Sequence, residues 1–231
     1  MITREEFENS FHNIMDWQDL SKEEISNALG SEVAGEVKFN QRNPHHCYDL
    51  FTHSLYATAA LPDTAPVLLK VAAFFHDIGK PYVAMKKQNR LVFYGHACKS
   101  AEIAASLLKK LHYTDNEISE ICFYIKHHDD FISWVLAEEN SLDKNKYFIK
   151  ITSENLVKHI HKVTNSLKEN DFRPTVNHWN NLLKLCLADV SAQSDLVIQD
   201  DKVIDTKERK LRKIDSLLQC INILKRRECV L

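Results

Sequence analysis

The chain has 231 residues, of which 44% are hydrophobic and 27% are charged, a composition that predicts a globular protein with a buried core and excludes a disordered chain. Its formal net charge of −2 gives no support to a protein that coats DNA or adsorbs to a membrane surface. Four glycines and five prolines are too few turn-forming residues for a many-stranded sandwich.

Helix signals begin at the first residues. Thr3 and Ser21 each open a capping box of the T/S-x-x-E type, and apolar residues at helical spacing follow the first of them. Gly30 is placed to end the second helix. Residues 31–47 have no clear period, and we expect an irregular loop there.

The next segment has two predicted helices in succession. Residues 48–61 carry apolar residues at helical spacing, and a proline follows them. Thr64 is placed to cap a second helix that has Pro66 in its first turn and ends at Gly79. This second helix, with the sequence VAAFF before its end, is apolar enough to be buried.

Residues 80–95 are the only segment with β character. Two short β-prone arms flank Gln88 and Asn89 in VAMKKQNRLVFYG, which predicts a hairpin over about 82–94. Helical periodicity then resumes, and Thr114 opens a third capping box. We therefore predict an all-α bundle with one short hairpin. The later helices are predicted over 97–111, from 114 through 125, and over 152–169, 175–193 and 206–226.

Domain organisation and location follow from the same reading. We predict an N-terminal helical extension (1–44), a main domain (45–200) and a C-terminal helix packed on it (201–231). The longest apolar run is too short to span a membrane, and the acidic start is unlike a signal peptide. Because the six cysteines form no C-x-x-C pair, we expect free thiols in a reducing cytoplasm.

Histidines are concentrated in one part of the chain: eight of the twelve lie between residues 45 and 128. Imidazole is the commonest metal ligand in proteins. His76 and Asp77 stand at the end of the apolar helix, where a carboxylate can bridge two ions while the imidazole binds one. The alternative is that His76 compensates the helix dipole. His128-Asp129 is another such pair, so the dipeptide alone is not specific.

The other candidate residues have structural alternatives as well. His53 is also explained as a half-buried helix residue, and His96 as a residue at a helix start. His127 and His128 are also explained by dipole compensation at a helix end. Asp189 lies within an apolar helix, where a buried carboxylate must be paired or bound to a metal, unless it is partly exposed.

Taken together, these residues carry a family resemblance. The segments are NPHHCYDLFTHSL, LKVAAFFHDIGKP, FYGHACKSAEIAASLLKKL and ICFYIKHHDD. Their order resembles the H…HD…D pattern of the HD-domain superfamily of metal-dependent phosphohydrolases. Locally they resemble the HD module of bacterial CCA-adding tRNA nucleotidyltransferases. Only about 44 residues precede the match, and they show no Gly-rich strand with paired carboxylates, so we expect an HD module without a nucleotidyltransferase head.

The resemblance implies a ligand set for one or two divalent ions. His53, His76, Asp77 and Asp189 would hold the first ion. His96 and His127, with His128 as a further candidate, would hold a second ion bridged by Asp77. Because no cysteine falls in the motif, Mn, Mg, Fe, Ni and Zn all stay open. Asp77 and Lys80 are the residues expected to act in catalysis.

Positive charge accompanies this motif. Residues 80–110 contain seven basic residues and one acidic residue, which favours an anionic substrate. Lys80 is the first choice for a phosphate contact, because it follows the ligands directly. The further substrate-binding candidates are Lys86, Lys87, Arg90 and His46. A solvated helix face explains Lys109 and Lys110 better.

The expected function is hydrolysis of a phosphomonoester, or of a cyclic or linear phosphodiester, by a metal-activated water. The expected substrate is a small phosphorylated molecule, either a nucleotide or an RNA terminus. Two alternatives stay open. One is a dNTP triphosphohydrolase or alarmone hydrolase of the same superfamily, and the other is a ligand-sensing or scaffold protein without turnover.

Overall fold

The computed structural model describes residues 1–88, 90–139, 148–168, 172–199 and 201–226. The prediction of an all-α fold is confirmed, because helices make up most of these residues and the strands among them are short. A 3-10 helix over Phe11–Asp19 continues the first α-helix. The α-helices are α1 (Arg4–Ser10), α2 (Lys22–Leu29), α3 (Ser31–Ala34), α4 (Leu50–Ala59), α5 (Val67–Phe75), α6 (Lys80–Val83), α7 (His96–Lys110), α8 (Asp115–His127), α9 (Ser153–Ser166), α10 (Val176–Ser191) and α11 (Lys207–Arg226).

The capping predictions are confirmed at three helix starts and wrong at one. Reciprocal capping boxes begin α1 at Thr3, α2 at Ser21 and α8 at Thr114. Thr64 does not cap α5, because that helix starts at Val67 with Pro66 at its N-cap. The fixed φ of proline suits a helix start, so the proline replaces the threonine in that position.

Helix α5 is the centre of the fold. It packs against α4, α7, α8 and α10, and its side chains from Leu69 to Phe75 are buried on every face. A helix that is apolar all round belongs in a core. Phe7 of α1 contacts the rings of Phe74 and Phe75, so the N-terminal helices share this core. The surrounding core therefore holds the C-terminal end of α5 in place.

Three pairs of short strands occur in the described part of the chain. The hairpin prediction is confirmed, since β1 (Met85–Lys87) pairs antiparallel with β2 (Arg90–Val92). The parallel pair β3 (Trp134–Val135) and β4 (Ile149–Lys150) was not predicted, and each of its strands has only two residues. Hairpin β5–β6 (Leu196–Gln199 and Lys202–Thr206) was also missed.

Three further predictions concern the loop over 31–47, the cysteines and a membrane span. The loop predicted over 31–47 contains the short helix α3 (Ser31–Ala34). Asn89, which was predicted for the hairpin turn, and Cys229 lie outside the described residues, and the other five cysteines are free. Among the described helices, none combines the length and the apolar character needed to cross a membrane.

Candidate metal centre

Asp77 lies at the middle of a cluster that five elements build. It follows His76 in the turn after α5, which leads to α6. The other members come from α4 (His53), the first residue of α7 (His96), the C-cap of α8 (His128) and the last turns of α10 (Asp189). All of them are buried.

A close backbone approach joins two of these elements. Gly79 lies against the first turn of α7, and its N–H donates to Ser100 Oγ at 2.9 Å. A Cβ atom at Gly79 would lie 2.5 Å from Ser100 N and 2.7 Å from His96 O. Only glycine permits this contact, which sets the α5–α6 turn and its Asp77 directly beside His96.

The first ligand group surrounds one oxygen of Asp77. Asp77 Oδ2 lies 3.5 Å from His53 Nε2 and 3.3 Å from His76 Nε2. Asp189 Oδ1 lies 3.0 Å from His53 Nε2 and 3.6 Å from His76 Nε2. The ligand atoms of His53, His76 and Asp77 all lie within 4.8 Å of one another, close enough to share one ion.

The second ligand group surrounds the other oxygen of the same carboxylate. Asp77 Oδ1 lies 3.2 Å from His96 Nε2 and 3.6 Å from His128 Nε2. The two Nε2 atoms are 3.3 Å apart, and these three ligand atoms also lie within 4.8 Å of one another. Asp77 therefore presents one oxygen to each group, as a carboxylate that bridges two ions does.

Backbone carbonyls fix the orientation of all four imidazoles. In each ring Nδ1 faces a carbonyl oxygen, which can only accept a hydrogen bond, so Nδ1 carries a proton and Nε2 is the nitrogen left to bind a metal ion. This arrangement is usual for histidines that bind metals. The Nδ1–O distances are 3.2 Å (His53 to Ala192), 2.7 Å (His76 to Ala73), 2.8 Å (His96 to Phe93) and 2.7 Å (His128 to Ile125).

The converging atoms lack ordinary hydrogen-bond partners. His53 Nε2, His76 Nε2 and Asp77 Oδ1 are buried without a hydrogen bond, although buried polar atoms are normally bonded. These imidazole nitrogens and carboxylate oxygens face one another at about 3 to 4 Å. A metal ion between them would bind their lone pairs. The donor set of nitrogen and oxygen fits a divalent metal of the hard or borderline kind.

The electrostatics of the cluster depend on the same carboxylates. Burial opposes charge on His96, but Asp129 and Asp77 outweigh burial and raise its pKa to about 10. Burial also opposes ionisation of Asp77, yet His76 and Lys80 hold its pKa well below the usual range. The pKa values of His53 and His76 are raised as well, so without an ion these three imidazoles favour a second proton, at Nε2, which metal binding would displace.

Two residues of the cluster were not predicted from the sequence. Asp129 Oδ2 lies 3.1 Å from His96 Nε2, and Asp129 Oδ1 lies 3.5 Å from His128 Nε2. Gln193 donates to both oxygens of Asp189 at 3.2 and 3.1 Å. The run HHDD and the i, i+4 spacing from Asp189 to Gln193 were the available signals.

The structure gives His127 another partner. Its Nδ1 lies 2.8 Å from Asp130 Oδ2, and His159 Nε2 approaches the same oxygen at 2.9 Å. In the described part of the chain, neither group of potential metal ligands includes His127. His96 and His128 are the histidines that the structure brings together on the second oxygen of Asp77, whereas the sequence had favoured His96 with His127.

Lys80 lies against the first ligand group. Its Nζ is 2.5 Å from Asp77 Oδ2, 2.9 Å from Gln41 Oε1 and 3.3 Å from His46 Nε2. Burial, followed by the charges of Lys80 and His53, keeps the pKa of His46 well below its usual value. Asp77 and Gln41 thus hold the buried ammonium of Lys80 at the edge of the centre.

A cavity of about 580 Å³ opens on the ligand cluster. Of the residues predicted to bind substrate, Lys80, His46 and Arg90 line it, whereas Lys86 and Lys87 lie on the exposed strand β1 and do not. Apolar side chains form another part of the wall. These are Val92, Phe93, Phe131, Ile132, Val190, Ile214 and Leu217.

Comparison with known proteins identifies the family. The HD domain family model matches residues 45–176, which is more than half of the chain. The match includes His53, His76, Asp77, His96 and His128, whereas Asp189 lies beyond it. No curated protein sequence matches the chain. HD domains are in general metal-dependent hydrolases, and the His/Asp groups described above fit that chemistry. The chain therefore belongs to the HD-domain family.

Proposed function

We propose that the chain is a phosphohydrolase that cleaves a phosphomonoester or phosphodiester of a nucleotide or an RNA end. The observation that carries this proposal is the position of Asp77, with one carboxylate oxygen toward each of two histidine pairs. His53, His76 and Asp189 would complete the ligands of one ion, and His96 and His128 those of another. Asp129 would add a carboxylate to the second group.

Divalent ions bound there would supply a water of low pKa and polarise a phosphoryl oxygen. The protein's own residues would do the rest. The carbonyl-bonded imidazoles keep their Nε2 lone pairs aimed at the centre. Lys80 would turn its ammonium to the phosphate and neutralise its charge. Phosphoryl transfer depends mainly on such positioning and charge neutralisation.

The form of the cavity supports a nucleotide-sized substrate. Its volume lies in the range of small-molecule sites, and one wall is apolar while Lys80 and Arg90 supply positive charge. Aromatic and aliphatic side chains suit a base, and cations suit phosphate groups. We also propose kinship with the HD module of CCA-adding nucleotidyltransferases, which rests on the segments quoted above.

Metal content and hydrolysis, measured together, test the function. The purified chain would be loaded in turn with Mn, Mg, Fe, Ni and Zn, and the metal bound per chain would be counted. Each form would then be assayed with bis(p-nitrophenyl) phosphate, p-nitrophenyl phosphate and a panel of nucleotides and RNA ends.

We expect up to two ions per chain and hydrolysis with at least one metal. Deoxynucleoside triphosphates and alarmones in the panel address the rival enzymes of the same superfamily. Bound metal without any turnover across the panel would favour the ligand-sensing alternative. Absence of metal binding would contradict the proposal itself.

A further inference from the structure

The cavity extends from the metal centre to a second set of basic residues, some of which belong to α11. We refer to His45, Arg90, Lys210 and Lys213 as the distal cluster. All four line the cavity, and Lys210 and Lys213 lie beyond the residues that match the HD domain. The distal cluster thus combines His45 and Arg90, which lie within the matched residues, with two lysines of α11 that lie beyond them.

Direct contact joins two members of the distal cluster, Lys210 and His45, and the other two line the same cavity. Lys210 Nζ lies 3.0 Å from His45 Nδ1 and 3.0 Å from Gln193 Oε1. Burial, then the charges of Lys210 and Arg90, lower the pKa of His45, so the imidazole stays neutral beside two cations. Lys213 Nζ donates to the carbonyl of Ile132 at 3.1 Å.

Positive charge is in excess here. Asp205 is the carboxylate that approaches Lys210, at 3.9 Å, and it also contacts Arg209 at 3.3 Å. The Arg90 guanidinium has no hydrogen bond or ion pair to any described residue. Excess cations on a concave surface attract and hold an anion, and Arg presents donors in the geometry of a phosphate.

The distal cluster lies close to the metal centre. Lys210 donates to Gln193, and Gln193 donates to Asp189, so two hydrogen bonds connect the cluster to a candidate ligand. The apolar side chains of Phe93, Phe131 and Ile214 line the same cavity. The metal centre, the distal cluster and the apolar wall therefore all face one cavity.

We propose that the distal cluster is a second anion subsite, and that the substrate is a phosphate ester carrying another phosphate group besides the one at the metal centre. This inference rests on the proposed function and narrows it to nucleoside bisphosphates or the ends of short oligonucleotides. The second phosphate binds Arg90 and Lys210, and the base lies along Phe93, Phe131 and Ile214.

Equilibrium binding tests the subsite. Adenosine 3′,5′-bisphosphate and adenosine 5′-monophosphate would be titrated calorimetrically into the full chain, with its metal and after its removal by a chelator. A charge-assisted contact contributes about 1.5–3 kcal/mol, so we expect the bisphosphate to bind at least about 10-fold more tightly. Arg90→Gln and Lys210→Gln should each remove most of this difference, because each variant should weaken bisphosphate binding more than monophosphate binding.

Lys87→Gln is the matched control, because this cation lies on the same hairpin but outside the cavity. Lys87→Gln should leave the difference in affinity between the bisphosphate and the monophosphate unchanged. Equal affinities of the two nucleotides for the unaltered chain would overturn the subsite. So would a Lys210→Gln variant that loses metal and affinity for both nucleotides alike, since Lys210 would then be a positioning residue for Asp189. If the difference persists while no phosphate ester is hydrolysed, the subsite stands and the hydrolase proposal fails.

Discussion

Two carboxylates near the end of α8 make a useful comparison. His127 and His159 both lie at hydrogen-bond distance from one oxygen of Asp130. The protein itself therefore provides the hydrogen-bond partners of this carboxylate. Asp77 lies among four histidines whose Nδ1 atoms are already bonded to carbonyls. The first arrangement is complete in itself, whereas the second turns its remaining nitrogen and oxygen atoms toward a common centre that fits a metal ion. Counting histidines around a carboxylate therefore does not identify a metal site, whereas the direction of the free lone pairs does.

Removing Asp77 should have the largest effect. In Asp77→Asn one charge and one bridging oxygen are lost, and each ligand group loses its shared member. We expect less than half of the metal to be retained and kcat/KM to fall at least about 100-fold. Metal analysis per chain and an assay with the preferred substrate would measure both effects, and circular dichroism would check that the helices persist. Unchanged metal content would remove Asp77 from the ligand set.

The next largest effect is expected from Lys80→Ala. Its ammonium lies on Asp77 Oδ2, and we expect it to turn to the substrate phosphate, so turnover should fall about 10- to 150-fold while metal content stays the same. Lys87→Ala is the control. It should weaken kcat/KM mildly, through a field that salt screens over about 10 Å.

Measurements at low and high ionic strength separate the two lysines. The loss in Lys80→Ala should persist at high salt, and the loss in Lys87→Ala should fade. Equal losses that salt abolishes in both variants would show that Lys80 makes no direct contact with the substrate.

A stability effect is expected from Asp130→Asn. Its two charge-assisted contacts join α8 to α9, and their loss should lower the free energy of unfolding by about 2 kcal/mol. Metal content and turnover should stay within about twofold of the unaltered chain, because His127 contacts Asp130 and is not a member of either ligand group. Urea unfolding of metal-free protein would measure the change. A loss of bound metal in this variant would return His127 to the candidate ligands.

The smallest effect is expected at the other end of α8. The Arg4 guanidinium contacts both oxygens of Glu117 at 3.0 and 2.6 Å, and this contact, aided by Thr114, lowers the pKa of Glu117 to about 2. The pair is partly exposed to solvent, so Glu117→Gln should cost only about 1 kcal/mol.

The sign of its pH dependence follows from the lowered pKa. The contribution of Glu117 is fully present above its ordinary pKa of 4.5 and is lost as the pH falls toward about 2. The stability gap between Glu117→Gln and the unaltered chain should therefore close over that range. A gap of constant size in urea unfolding at pH 6, 4 and 3 would contradict this account.

Local signals predicted much of the fold and most of the cluster. The capping boxes and the apolar helix α5 depend on residues that are close in the sequence, and both were predicted correctly. The sequence could not decide whether His127 or His128 faces Asp77. Adjacent helical residues differ in direction by about 100°, so the answer depends on how α8 is oriented in the fold. The placement of Lys210 beside His45 joins residues 165 positions apart, which no local pattern indicates. Hairpin β5–β6 was missed because its turn includes Asp201 at φ 59°, a backbone conformation that the sequence does not announce.

The close approach at Gly79 has a consequence for how the protein gains and loses its metal. Backbone contact with α7 sets the separation of Asp77 and His96, and the buried helix α5 holds the turn from the other side. The ligands are therefore prearranged by the fold, unlike those of small zinc modules that unfold when the ion leaves. Treatment with a chelator should yield an empty but folded protein, which can be recharged with a different metal without passing through the denatured state.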